Sequence, residues 1–276
     1  MSPPEVSHSH LAHLEELPEA LKACCAAAYQ SDAVSLILGD TYHPGGVALT
    51  RRLASALALR PGERVADIAS GPGATALLLA REFAVLVEGI DLGQGAVAAA
   101  IAKAVAAGLD DRVTFHVGDA ERLPLEDESV DALVCECALC TFPDKAAAAA
   151  EMARILKPGG RVGITDVTVD PGRIDPELAS LAGWVACIAD ARPVADYCRH
   201  LERAGLQVAF TEAHDDALAT MIETIDARLV AYRMTNAPAL AGLDIDAVRQ
   251  KVAVAAGAVA AGVAGYSLVI AHKPAS

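Results

Sequence analysis

Between Gly45 and Thr168 short apolar runs alternate with helical stretches, and that alternation confines the chain to a mostly parallel sheet covered by helices. Arg64–Ile68 (RVADI) predicts a first strand ending on a Gly-rich turn, and Ala74–Glu82 the helix after it. Val85–Ile90 predicts a second strand that closes on Asp91, followed by a helix over Ala96–Ala107 and a third strand over Val113–Val117. A fourth strand is expected over Val130–Cys137, and a helix over Lys145–Leu156 that ends at Lys157-Pro158-Gly159-Gly160. The fifth strand is Arg161–Asp166. Apolar runs of about four to eight residues bounded by turns suit strands buried on both faces.

Outside that region, Pro18–Leu38 predicts a helix with Pro18 at its first position, and Gly39–Gly46 (GDTYHPGG) a loop before the helix Val47–Ala58. Asp170–Pro176 is a connection, Pro193–Ala204 a helix and Leu206–Glu212 a strand. Two Ala-rich helices, about Asp216–Arg233 and Asp244–Gly262, precede a last strand at Tyr266–His272. No internal repeat or long flexible linker interrupts the chain, which reads as one domain. Its N-terminal helices and the 170–205 segment are expected to fold over one end.

The 276 residues are 54% apolar and 21% charged, enough for a sizeable core and incompatible with wholesale disorder. The net charge of −14 repels phosphate backbones and anionic lipid, so neither nucleic acid nor a membrane surface is an expected partner. One uncharged stretch, Val252–Ala271, approaches membrane-spanning length, but it is mostly Ala and Gly, and Gly265-Tyr266-Ser267 interrupts it; it reads as helix, turn and strand. The start MSPPEVSHSH lacks the basic and apolar regions of a signal peptide, and a cytoplasmic location is expected. Seven cysteines, an odd number in a chain of this size, are expected to be thiols.

The segment Asp67-Ile68-Ala69-Ser70-Gly71-Pro72-Gly73 sits where a strand becomes a helix, so backbone N–H groups can approach a ligand closely. Asp91 ends the second strand, where a carboxylate can accept both hydroxyls of a ribose. Gly118-Asp119-Ala120 follows the third, where an acid can accept the exocyclic amine of adenine. Three carboxylates at successive strand ends, on the ligand-binding edge of an open sheet, point to a nucleoside-type cofactor. A nicotinamide enzyme would usually place a third Gly where Ala76 stands.

The ordered set DIASGPG, EGIDLG, VGDAERLP, VDALVCE and ILKPGGRVGITD resembles the class I S-adenosylmethionine (SAM)-dependent methyltransferases of the methyltransferase type 11 kind, over about residues 45–168. That resemblance implies a Rossmann-like seven-stranded, mostly parallel sheet with helices on both faces and an antiparallel last strand. It further implies an N-terminal helical lid over 1–44 and a SAM-binding core over 45–276, with a cap at about 170–205 and a helical insertion at about 213–264. The cofactor would be S-adenosyl-L-methionine, held by Asp67, Ala69, Ser70, Gly71 and Gly73 around the methionine moiety. Asp91 would hold the ribose, and Asp119 and Ala120 the adenine, with Leu92, Gly118 and Glu136 also among the cofactor contacts. Tyr42–Gly46 would close over the cofactor.

Acceptor contacts in such a fold come from the end of strand four, the N-terminal helices and the segment after strand five. Strand four ends Cys135-Glu136-Cys137-Ala138-Leu139-Cys140, and alternation sends Cys135 and Cys137 to the face opposite Glu136. Cys-x-Cys-x2-Cys lacks a fourth ligand at recognisable spacing, so no metal site is expected. Cys135 and Cys198 read as packing. The stretch CECALCTFPDKAAAAAEMARILKPGGRVGITDV, with Trp184–Ala189 and Arg192–Tyr197, is similar to arsenite methyltransferases, which implies metalloid-binding roles for Cys137 and Cys187. Ser70 stands where those enzymes carry a cysteine, and no cysteine follows Cys198; Cys24, Cys25 or Cys140 would have to substitute.

The candidate catalytic residues are thus Glu136, Cys137, Cys187 and His43. They would serve methyl transfer to a small molecule, either a soft sulfur, selenium or arsenic centre or the nitrogen or oxygen of a metabolite or natural product. Two other classes compete, a thiol-based metal or metalloid binder with a vestigial cofactor site and a nicotinamide oxidoreductase. Tyr29 and Asp32 are expected to face the pocket. His8, His10 and His13 read as incidental, and His214-Asp215-Asp216 as a helix start. The Ala-rich helices of the insertion offer a homodimer surface.

Overall fold

The apolar runs meet in one sheet. In the computed structural model, which describes residues 22, 26, 27, 29, 32–39, 41–175, 178, 188, 190–235 and 244–275, the order is β3-β2-β1-β4-β5-β7-β6. The strands are β1 (Arg64–Ile68), β2 (Leu86–Asp91), β3 (Val113–Val117), β4 (Val130–Glu136), β5 (Leu156–Val169), β6 (Gln207–Ala213) and β7 (Ala264–His272). The ladders among β1 to β5 are parallel, whereas β7 runs antiparallel to both β5 and β6. The fold class is therefore the one the sequence predicts. All residues of β1 after Arg64 are buried, as a strand flanked by helices on both faces requires.

The helices are α1 (Asp32–Leu38), α2 (Gly46–Ala56), α3 (Ala74–Phe83), α4 (Gln94–Ala107), α5 (Lys145–Ile155), α6 (Val194–Arg203), α7 (Asp215–Thr235) and α8 (Ile245–Ala260). From β1 the chain steps outward to β2 and β3, then returns across β1 to β4 and β5. Right-handed crossovers therefore place α3 and α4 on one face and α5 on the other. The reversal between β1 and β4 opens a crevice beyond their carboxyl ends. Leu53 and Leu57 of α2 pack over Gly163 of β5, where any side chain would meet Leu53 Cδ1 at 2.7 Å.

Several boundaries differ from expectation for identifiable reasons. β5 begins at Leu156 rather than Arg161. Leu156 pairs with Val130, the Lys-Pro-Gly-Gly segment forms a bulge tied to Lys273 by Gly159 N–H to its carbonyl and by its N–H to the Gly160 carbonyl, and the register resumes at Arg161. β4 stops at Glu136 rather than Cys137, because Cys137 turns into the left-handed region at φ 54°. Val252–Ala271 divides into α8, a turn and β7, and no helix among the described residues is long and apolar enough to cross a membrane. The Ala-rich pair α7 and α8 pack on each other, tied by Arg249 to Asp226 at 2.7 Å. Of the long N-terminal helix, Lys22, Ala26, Ala27 and Tyr29 are described and helical, as is α1.

α7 also braces the N-terminal region. Arg228 donates to the Ile37 carbonyl at 2.8 Å and Tyr232 to that of Leu36 at 3.0 Å, satisfying acceptors that the end of α1 leaves open. At the other end of the fold, Gly73 joins β1 to α3 with φ 84°, and a Cβ there would lie 2.7 Å from Phe115 Cζ. Gly73→Ala should destabilise the protein by about 2–4 kcal/mol through left-handed strain plus overpacking. Urea titration would measure this, and Phe115→Leu in the same chain should recover part of the loss.

Candidate functional site

The carboxyl ends of β1, β2 and β4 and the loop after β3 converge on one cavity of about 180 Å³. After Ile68 the backbone turns at Ala69 (φ 58°), Gly71 (φ 51°) and Gly73 (φ 84°) before entering α3. Ala69 takes a left-handed conformation that costs an alanine about 1–2 kcal/mol, so the turn is kept here without the usual glycine. The loop is pinned from two sides. Ser70 N–H donates to the Ile90 carbonyl at 3.0 Å, and Gly71 N–H to Asp91 Oδ2 at 2.8 Å.

Asp91 therefore organises two loops, since its Oδ1 also accepts from Gly93 N–H at 2.8 Å. Burial raises its carboxyl above the usual carboxylate range, against the opposing pull of those two backbone donors. Each oxygen keeps a lone pair for a hydroxyl in the cavity. Asp119 is engaged too: Oδ1 accepts Glu121 N–H at 2.9 Å, and Oδ2 receives Lys22 Nζ at 2.8 Å. Lys22 also meets Glu121 at 2.5 Å. Gly118, Ala120 and Leu92 line the same end of the cavity.

Asp67 is the least accommodated group. It is 2% exposed, and Oδ2 has no hydrogen-bond partner, as is true of Ser70 Oγ. Its carboxyl is raised well above the usual range, first by burial, then by the charges of Glu136 and Asp91, with only Ala76 N–H opposing. A buried acceptor and a buried hydroxyl left open on a cavity wall are what a polar ligand would complete. The open acceptor and hydroxyl fit the polar, amino-acid end of a nucleoside cofactor.

At the other end stands Glu136, whose side chain is 4% exposed. Thr75 donates to its Oε2 at 2.6 Å, and Thr50 Oγ1 lies 3.1 Å from the same oxygen. His43 places Nε2 3.6 Å from Oε2, while its Nδ1 lies 3.3 Å from the Pro44 carbonyl. Of the loop Tyr42–Gly46, Tyr42 and His43 line the cavity, and Tyr42 stacks on Tyr29 with ring centroids 6.2 Å apart. Because Cys137 leaves the strand with positive φ, it does not point away from Glu136 as alternation predicts; both line the cavity.

The structure thus brings together His43, Asp67, Ala69, Ser70, Gly71, Asp91, Leu92, Gly118, Asp119, Ala120, Glu136 and Cys137. Gly73 does not line the cavity; it packs on Phe115 and starts α3. Cys187 falls outside the described residues, as do Cys24 and Cys25, and so does the side chain of Asp32. Cys140 is buried off the cavity, with its N–H donating to Asp166 Oδ2. The Cys135 thiol is pushed well up by burial, then by Asp166 and Asp67, and that of Cys198 by burial and Glu202, as suits packing residues. Among the described residues no three His, Cys, Asp or Glu side chains form a metal site. Sequence reasoning missed Lys22, Thr50, Thr75 and Glu121, which only tertiary contacts bring to the site. Asp215, expected at a helix start, does begin α7, and its side chain accepts Tyr266 N–H at 2.9 Å.

Residues 66–164 match a family model described as a methyltransferase domain. The chain is 34% identical over 161 residues to the 27-O-demethylrifamycin SV methyltransferase of Amycolatopsis mediterranei, covering 58% of this chain and 59% of that one. It is 34% identical over 168 residues to an arsenite methyltransferase of Halobacterium salinarum, covering 58% and 41% respectively. The chain therefore spans about three-fifths or less of these relatives' length. Phosphoethanolamine N-methyltransferase 2 of Haemonchus contortus, solved with phosphomonomethylethanolamine and S-adenosylhomocysteine, shares the fold with a TM-score of 0.74 at 22% identity, covering 88% of this chain and 56% of that one.

The strain at Asp67 has a measurable sign. Its native pKa lies above the unfolded value near 4, so the native state binds more protons, and stability falls as pH rises from about 4 toward that raised pKa. Asp67→Asn should stabilise the ligand-free protein at neutral pH by about 1–3 kcal/mol and flatten that slope, as thermal melts across pH 4–8 would show.

Proposed function

We propose that this protein, whose residues 66–164 match the methyltransferase-domain model, is a methyltransferase that binds S-adenosyl-L-methionine in this cavity and methylates a small molecule. The observation that carries this reading is the set of carboxylates at three strand ends, Asp67, Asp91 and Asp119, around one cavity whose innermost member has an unpartnered oxygen. Asp67 and the open Ser70 hydroxyl would take the methionine moiety, and Asp91 the ribose. Asp119 would take the adenine, with Ala120 and Leu92 as the apolar walls. When bound, the sulfonium supplies the methyl group and the driving force. What remains for the chain itself is to align the acceptor and exclude water.

Residues 1–44 would act as the lid and 45–276 as the core. The lid's share is supported by Lys22, Tyr29, Tyr42 and His43 on the cavity wall. Glu136, oriented by Thr50 and Thr75, would face the acceptor, with His43 closing beside it. A cytoplasmic setting suits the four described cysteines, none of which is in a disulfide.

A second acceptor reading, a soft arsenic, sulfur or selenium centre held by Cys137 and Cys187, is favoured by Cys137 on the cavity wall and by the likeness to the arsenite enzyme. Two measurements test the proposal. Calorimetry with S-adenosylhomocysteine should show binding that Asp91→Ala weakens by about 100-fold, the loss of two charge-assisted hydrogen bonds. Absence of binding to the wild type would defeat the cofactor assignment. Turnover of arsenite with glutathione, lost in Cys137→Ser and Cys187→Ser, would establish the soft acceptor; turnover that survives both changes would remove it.

A further inference from the structure

Charge in the cavity is one-sided. Its wall carries Asp67, Asp91, Asp119, Glu121 and Glu136, against one ammonium, that of Lys22. That ammonium is already committed, 2.8 Å from Asp119 and 2.5 Å from Glu121, and its side chain is only 9% exposed. The other basic side chain of the wall, His43, turns Nε2 toward Glu136 and Nδ1 toward the Pro44 carbonyl.

No further lysine or arginine stands on this wall to reverse the balance. Every one of the 22 lysines and arginines falls within the described residues. The stretches 1–21, 23–25, 179–187 and 236–243 contain none, while 1–21 and Glu177 add further carboxylates. A phosphate or carboxylate on the acceptor would thus be desolvated with no free cation to meet it, among carboxylates that repel it.

A cation meets the opposite situation. Glu136 presents a buried carboxylate held in place by two threonine hydroxyls, and Asp67 keeps one oxygen wholly unpartnered. With Asp67 and Asp91 assigned to the cofactor, Glu136 remains for the acceptor. We infer that the acceptor is an amine without a phosphate or carboxylate group, that it enters as its ammonium with Glu136 as the counter-ion, and that its proton passes to the Glu136 carboxylate, which leaves a nitrogen lone pair free to accept the methyl group. This rests on the cofactor reading above.

The test is saturation-transfer NMR on the full chain saturated with S-adenosylhomocysteine, using butylamine, butanol, butyrate and butyl phosphate as a matched set. The amine should bind at least about tenfold more tightly than the other three, as one charge-assisted hydrogen bond implies. Glu136→Gln should erase that preference. An equal or better affinity for the alcohol or either anion in the wild type would overturn the inference, as would a preference for the amine that survives Glu136→Gln. Since the comparison among ligands is made on the wild type, a misfolded variant would not rescue or sink it. Failure of the wild type to bind S-adenosylhomocysteine would strike the cofactor reading instead, whereas binding without amine preference would strike this inference alone.

Discussion

One buried carboxylate sets the terms for the rest of the site. Asp67 lies near the carboxyl end of β1, almost without solvent, with Glu136 and Asp91 for neighbours. A charge in that position is tolerated only if something else compensates it, or if it gives up its charge by binding a proton. The surrounding donors compensate it only in part, since Ala76 N–H reaches one oxygen and the other is open. Asp67 thus keeps on the cavity wall an acceptor that no described donor reaches.

The backbone around Asp67 is shaped to the same end. Ala69 and Cys137, on the loops after β1 and β4, both take positive φ, a conformation that side chains other than glycine adopt at some cost. At Ala69 this keeps the turn tight enough for Gly71 N–H to reach Asp91. At Cys137 it ends the strand early and swings the thiol to the side of Glu136, while its N–H holds the Thr165 carbonyl. The sheet thus supplies rigid anchor points, and the departures from regular geometry occur at the edge where a ligand would bind.

The N-terminal region and the insertion before β7 act as one covering. Arg228 and Tyr232 of α7 hold the carbonyls at the end of α1, and Lys22 reaches across to Asp119 and Glu121. A helix late in the chain therefore positions residues from its beginning. Arg52 of α2 joins Glu212 of β6 across the same edge, so the cover and the sheet are tied at more than one point.

Much of this was legible in the sequence. β1 and β3 fall where their apolar runs place them, and Asp67, Asp91, Asp119 and Glu136 reach the cavity because the carboxyl ends of parallel strands share one edge. Strand period and turn chemistry are local properties, written in neighbouring residues. The Lys-Pro-Gly-Gly segment is the break its turn residues predict, with the paired register resuming at Arg161, but only the fold shows that Lys273, more than a hundred residues away, holds it in place. Thr50, Thr75 and Lys22 carried no signal at all, since a threonine or lysine on a helix is ordinary until tertiary packing brings it against a buried carboxylate. The order of charges along the chain determined that the pocket would be acidic. Only the tertiary structure decided which carboxylates would be paired within the protein and which left for a ligand, because that depends on which side chains the fold brings within hydrogen-bond reach of one another.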